Sequence, residues 1–290
     1  MKRFKKIYVE IINSCNLRCR FCSKISREPG VMSVNSFNLI LDRIKLYTDH
    51  IYLHIKGEPL LHPEIDQFLD TCFEKGFLVN LVTNGTVIRK VHHKILLKPA
   101  IRQINFSLHC MDELNETINK NQYMEDIFLF VQDALEKTNM YISLRLWNYD
   151  KGQKTDQTEK NKFILTFIEN KMKLNDPITN DRIINNSIKL SEKLFLNFDY
   201  EFQWPDMNDS YQNTKGYCYG LKDQVAILVD GTVVPCCLDS DGQLNLGNLF
   251  KQPFSEIINS EIAKKIVTGF SELRAVGALC IKCRYKERFN

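Results

Sequence analysis

The sequence predicts an α/β protein: a partial (β/α)6 barrel over residues 1–205, followed by a small α+β domain over residues 206–290. Three observations predict it. Strand-like segments alternate with amphipathic helical ones through the first two thirds of the chain. After Trp204-Pro205 the helical periodicity gives way to two β-branched runs joined by Asp230-Gly231, a hairpin signal. Eight of the ten cysteines gather near the two ends of the chain, with Cys72 and Cys110 apart.

The six strand-like segments are Lys6–Asn13, Ile51–Ile55, Phe77–Thr83, Gln103–His109, Met140–Trp147 and Leu194–Phe202. Between them, Ser33–Thr48 carries Phe37, Ile40, Leu41, Ile44 and Tyr47 at helical spacing. Pro63–Lys75 opens with proline in the first helical turn and stops at Gly76. Asn121–Lys137 has a broad apolar face, and Phe163–Met172 is a shorter helix. The polar stretch Asn148–Asn161 reads as a variable surface loop rather than a lid. Val225–Val229 and Thr232–Cys236 form the hairpin, Pro253–Thr268 is a helix, and the domain boundary falls near 205–217.

At 290 residues and 44% hydrophobic, the chain can bury a substantial core. The net charge of +4 is matched by Lys2, Arg3, Lys5 and Lys6 alone, which argues against a nucleic-acid partner. No run approaches the ~20 apolar residues of a membrane span. Glu10, Asn13, Arg18 and Arg20 interrupt any signal-peptide pattern, so the expected location is the cytoplasm. Clustered cysteines in a cytoplasmic chain point to metal or redox chemistry rather than disulfides.

Cys15, Cys19 and Cys22 follow the first strand as C-x3-C-x-aromatic-C, with Phe21 as the aromatic. Iron–sulfur cubes are normally held by four thiolates. A group of three leaves one iron open to a ligand, and zinc would want a fourth donor nearby. In spacing, aromatic and position this motif resembles the radical S-adenosylmethionine (radical SAM) family. The resemblance implies a TIM-like partial barrel, a [4Fe–4S] cluster on Cys15, Cys19 and Cys22, and S-adenosylmethionine bound to the open iron and cleaved to a 5′-deoxyadenosyl radical.

Functional residues of such barrels sit at the C-terminal ends of strands, and the remaining motifs do so. Phe21 resembles the aromatic that packs near the cofactor's adenine. Lys56-Gly57-Glu58-Pro59 resembles the family's Gly-Gly-Glu-Pro, where Gly57 and Glu58 would receive the methionine ammonium; Lys56 departs from the pattern in the place of the first glycine. Thr83-Asn84-Gly85 is frequent in the peptide-modifying branch. Ser107 resembles a ribose- or carboxylate-contacting residue, with His109 and Cys110 beside it. Arg145 in a barrel mouth needs an anion: the cofactor's carboxylate, or a barrel glutamate such as Glu10.

Cys218, Gly231 and Cys236 match the opening of the SPASM extension of this family, and Cys280-x2-Cys283 supplies two more thiols. Spacing alone suits one fully ligated [4Fe–4S] cluster or structural zinc equally. The resemblance favours an auxiliary [4Fe–4S] cluster in a shorter, twitch-like domain, used for electron relay or for shaping the substrate pocket. Cys237 is spare beside Cys236 and reads more readily as a small packed hydrophobe, with hydrogen donation to a substrate radical as the other reading; Cys72 reads as core. The expected substrate is a peptide or protein, although strand one begins at Lys6 where many peptide-modifying members first have a leader-binding domain. The alternatives are oxidation of a small polar metabolite and, from another class, a non-catalytic iron–sulfur or zinc module. A flavodoxin or ferredoxin would supply electrons.

Overall fold

The computed structural model describes residues 3–24, 26–114, 118–148 and 161–289. The polar stretch read as a surface loop lies almost wholly outside them. Strands β1 (Lys6–Val9), β2 (His50–Tyr52), β3 (Leu78–Thr83), β4 (Ile101–Ser107), β5 (Tyr141–Leu146) and β7 (Leu194–Phe198) are the six barrel strands, with β6 (Ser187–Lys189) short and antiparallel to β7. Their neighbours in space follow chain order and pair in parallel. Helices α1 (Val34–Ile44), α2 (Ile65–Glu74), α3 (Ile88–Ile95), α4 (Lys120–Lys137) and α5 (Lys162–Met172) fall between them.

Local signals explain these elements. Ser33 caps α1 by accepting from Ser36 N–H at 3.1 Å, as an N-cap serine does. The buried stripe Phe37, Ile40, Leu41 and Ile44 then packs on α2, with Phe37 and Phe68 stacked at 4.2 Å. Gly76 ends α2 at φ +73°, a conformation glycine adopts freely. Asn119 caps α4 through Gln122 N–H at 3.1 Å. The barrel strands turn an apolar face to the covering helices: in β5, Ile142, Leu144 and Leu146 are buried and alternate with Ser143 and Arg145.

The chain's last third joins the same sheet. Strand β8 (Gln224–Ile227) lies parallel to β1, with Ile7 opposite Val225. It turns through Asp230-Gly231 into β9 (Thr232–Val234), and β10 (Gly247–Asn248) follows at the edge. The sheet order is β10-β9-β8-β1-β2-β3-β4-β5-β7-β6, so the barrel is open. A cut at 205/206 therefore crosses a continuous sheet.

Expectations about extent are corrected at four elements. The helix read over Pro253–Thr268 is two, α6 (Phe254–Ile258) and α7 (Glu261–Ser271), because the Ser260 hydroxyl accepts from Ala263 N–H and starts a new helix. The second and sixth strands end at Tyr52 and Phe198, short of Ile55 and Phe202. The first ends at Val9, where the chain leaves to form the cysteine loop. A last short helix, α8 (Ala278–Lys282), carries Cys280. No helix among the described residues is long and apolar enough to cross a membrane.

Candidate active site

One cavity of about 1370 Å³ opens at the C-terminal ends of the barrel strands. It is lined by every residue singled out above for cofactor or metal binding: Cys15, Cys19, Phe21, Cys22, Gly57, Glu58, Ser107 and Arg145, and on the other wall Cys218, Cys236, Cys237, Cys280 and Cys283.

The first wall is the loop after β1. Its position is fixed by Gly57, whose φ of +77° brings its Cα against the loop backbone; a Cβ there would lie 2.4 Å from the Ile12 carbonyl oxygen. Glu58 N–H donates to the Ser14 carbonyl at 3.0 Å, and Cys22 N–H to the Cys19 carbonyl at 3.0 Å. Asn84, at the end of β3, points its amide at the Cys15 sulfur, 3.7 Å away. Lys56 is 4% exposed, and its amine lies 3.2 Å from the Cys22 sulfur and 3.2 Å from the Ser23 carbonyl. Burial, with Cys15 and Cys22 close by, pushes the Cys19 thiol up to about 12.

Glu58 is buried and accepts three bonds: from Leu60 N–H at 3.0 Å, Thr83 hydroxyl at 2.7 Å and Asn84 N–H at 2.7 Å. Among the described residues no cation lies within salt-bridge distance, and burial raises its carboxyl to about 7 despite those donors. A carboxylate so held is completed by a positive group entering the cavity.

Glu10 is not the partner of Arg145. It is buried; Arg27 Nη2 bridges its two carboxylate oxygens at 2.8 and 2.7 Å, and Val229 N–H adds a third bond at 3.1 Å. Arg27 also donates to the Ser240 carbonyl at 2.7 Å, so this pair ties the cysteine loop to the second wall. Arg145 instead donates to Asn105 at 2.6 Å and lies over the Trp147 ring at 4.8 Å; desolvation lowers it to about 10. No carboxylate among the described residues forms an ion pair with it. His109 bonds the Arg145 carbonyl through Nδ1 at 3.1 Å and meets Phe21 at 4.9 Å. Burial holds it to about 4, so the ring is neutral. Ser107 sits at the end of β4 on the cavity wall.

The second wall draws its thiols from three places: Cys218 before β8, Cys236 after β9, and Cys280 and Cys283 around α8. Each thiol is pushed up, first by burial; neighbouring cysteines add to this for Cys218, Cys236 and Cys280, and Glu287 for Cys283, with Cys218 raised to about 11. Crowded buried thiols of this kind ionise when a metal centre is present to take the charge. Among the described residues no three metal-binding side chains converge on one point as a single ion requires, while thiolates grouped in threes and fours are the usual donors of iron–sulfur cubes. The donor sets of both walls thus fit iron–sulfur clusters. Lys286, 2% exposed, donates to the carbonyls of Cys280 at 3.2 Å and Cys283 at 2.8 Å. Cys237 faces the cavity and hydrogen-bonds Tyr8.

Sequence reasoning missed Trp204 as a site residue, although its ring closes over the Lys56 amine at 3.4 Å. It also missed His54, half-buried on the cavity wall with its buried Nδ1 without a hydrogen-bond partner among the described residues. Neither belongs to a short motif.

Residues 9–144 match the model of the radical SAM superfamily, and residues 218–284 match SPASM, an iron–sulfur cluster-binding domain. The chain is 32% identical over 108 residues to a tungsten-containing aldehyde ferredoxin oxidoreductase cofactor-modifying protein of Pyrococcus furiosus, covering 36% of this chain and 30% of that protein. It is 23% identical over 283 residues to the antilisterial bacteriocin subtilosin biosynthesis protein AlbA of Bacillus subtilis, covering 89% of this chain and 60% of that one. The matches thus span from under a third to three fifths of these relatives' lengths. Among solved structures, BtrN in complex with AdoMet and 2-DOIA superposes with a TM-score of 0.54 at 16% identity, covering 98% of this chain and 94% of BtrN. SuiB of Streptococcus suis bound to precursor peptide SuiA gives 0.53 at 16% identity, covering 96% and 71%. With a cluster loop on one wall of its cavity and a SPASM site on the other, the chain belongs to the radical SAM superfamily.

Proposed function

We propose that this protein is a radical enzyme that reductively cleaves S-adenosylmethionine and abstracts hydrogen from a peptide or protein, as a step in that substrate's modification. The observation that carries the reading is the single cavity between two cysteine sets. A substrate held there meets a hydrogen-abstracting wall and an electron-accepting wall at once. When bound, the cluster on Cys15, Cys19 and Cys22 together with S-adenosylmethionine supplies the 5′-deoxyadenosyl radical.

The chain's own residues bind, orient and exclude water. Gly57 and Glu58 receive the methionine ammonium, the one positive group that would let buried Glu58 ionise. Arg145 receives a carboxylate, and Ser107 a polar oxygen. Phe21, backed by neutral His109, packs on the adenine. Cys237, kept protonated by burial, is our hydrogen donor in the redox-neutral course, in which it quenches the substrate radical in place of electron transfer to the second wall; the external reductant, a flavodoxin or ferredoxin, and solvent then restore its electron and proton. We place the reaction in the cytoplasm.

A groove between Arg20–Ser23 and residues 201–204 gives an extended chain a way in. Likeness to peptide-bound SuiB and to AlbA supports a peptide. The second reading, oxidation of a small polar metabolite, is favoured by the near full-length match to BtrN, solved with 2-DOIA rather than a peptide.

The test is 5′-deoxyadenosine formation by anaerobically reconstituted protein, with peptide, small-metabolite or RNA fractions added. The reading expects production that is lost in the triple variant Cys15→Ala, Cys19→Ala, Cys22→Ala and stimulated by the peptide fraction. Stimulation by metabolites alone would select the second reading. No production from protein holding both clusters would overturn catalysis in favour of an electron-transfer or scaffold role.

A further inference from the structure

We propose that Lys56 is a positioning residue for the three-cysteine cluster, fixing the Cys22 sulfur and raising the one-electron reduction potential of the cluster held there. This rests on the reading of Cys15, Cys19 and Cys22 as cluster ligands. It concerns the position at which this chain departs from the Gly-Gly-Glu-Pro pattern.

The geometry is specific. Gly57 pins the segment after β2 against the cysteine loop, and Lys56 N–H reaches Glu10 at 3.4 Å, so the side chain leaves from a fixed point. An ammonium carries three N–H groups, and three acceptors surround this one: the Cys22 sulfur at 3.2 Å, the Ser23 carbonyl at 3.2 Å and the face of Trp204 at 3.4 Å from the ring centre. The donors are thereby occupied, which leaves the amine neither a base for the substrate nor a nucleophile. Among the described residues no carboxylate forms an ion pair with it, yet Lys56 is 4% exposed. Asp241 and Glu10 act on it only from beyond ion-pair distance, so the negative group it touches is the Cys22 sulfur. Net charge and hydrogen bonds to sulfur are the levers by which a protein sets a cluster's potential. A cation on a ligand sulfur favours the reduced, more negative state. Glycine at this position would supply neither charge nor donor.

The test is a redox titration of the reconstituted holoprotein, followed by electron paramagnetic resonance, with iron content measured first. The couple of interest is the one missing from the triple variant Cys15→Ala, Cys19→Ala, Cys22→Ala; the other couple is the internal control. Lys56→Met should shift the first couple to more negative potential and leave the second unchanged, and Lys56→Arg should return the first toward the wild-type value. An unchanged first couple in Lys56→Met overturns the proposal. So does an equal shift in Lys56→Arg, which would mark packing rather than charge. If Lys56→Met takes up no cluster, Lys56→Gln, which keeps a donor without the charge, must show the negative shift. Wild-type protein lacking the first couple altogether would instead overturn the ligand reading.

Discussion

The two cysteine sites of this cavity are built in opposite ways. The N-terminal set lies on one loop of eight residues, with Cys15 and Cys22 exposed to the cavity, and leans for support on the ends of other strands: Gly57, Glu58 and Asn84. The C-terminal set is assembled from a pre-strand segment, a hairpin end and a short helix far apart in sequence, all half-buried, with Lys286 tied to the backbone of two of them. Three thiols on one loop leave a coordination position for a ligand; four thiols from separate elements close a centre off. On the proposed reading the difference means that one site serves chemistry and the other holds a centre in place, with Arg27 and Glu10 bridging the two walls.

The comparison breaks most sharply at Gly57. Gly57→Ala forces a methyl group onto the Ile12 carbonyl in a backbone conformation that L residues rarely adopt. It should displace the N-terminal loop and cut iron from ~8 to ~4 atoms per chain, with 5′-deoxyadenosine formation lost. The paired change, Cys218→Ala with Cys280→Ala, should remove a similar amount of iron, yet leave S-adenosylmethionine cleavage within about tenfold and abolish substrate turnover. Iron analysis and product chromatography on both variants check this. Equal loss of cleavage in the two would erase the division of labour.

These expectations show how far the sequence carries. The cysteine loop, Gly57-Glu58 and the residues at the ends of β4 and β5 were legible because each motif is local, and strand ends of a parallel barrel share one rim. What was not legible is contact between distant segments. Trp204 reads as a domain boundary, and nothing near it in sequence announces that it covers Lys56. The alignment of β8 with β1 depends on a register between residues 6–9 and 224–227, which no local pattern encodes. Glu10 was a plausible partner for Arg145 by strand position, but Arg27 reaches it with one terminal nitrogen that bridges both carboxylate oxygens. Helix α3 went unnamed because its buried residues are only Ile88 and Ile95, too few to set a period.

A smaller effect sharpens the chemistry of the open site. Burial raises Glu58 in the folded protein to about 7, above its ordinary 4.5. The stability associated with the protonated form is therefore fully present below about pH 4.5 and is lost as pH rises through about 7. A shift of this size corresponds to about 3 kcal/mol. Cluster-free wild-type protein should lose stability relative to Glu58→Gln across that window, as read by denaturant unfolding at several pH values. Adding S-adenosylmethionine to the wild type should oppose the loss. His109 slopes the other way, being held neutral by burial, so the difference between variant and wild type is the quantity to follow.

The central claim is that the two centres are unequal, one open to a ligand and one closed. Mössbauer and electron paramagnetic resonance spectra of the reconstituted wild type, before and after adding S-adenosylmethionine, test it most directly. The account predicts two [4Fe–4S] clusters, of which one, the centre absent from the Cys15, Cys19 and Cys22 variant, changes its spectrum on adding the cofactor while the other does not. Perturbation of both clusters, or of the one that survives in that variant, would contradict it.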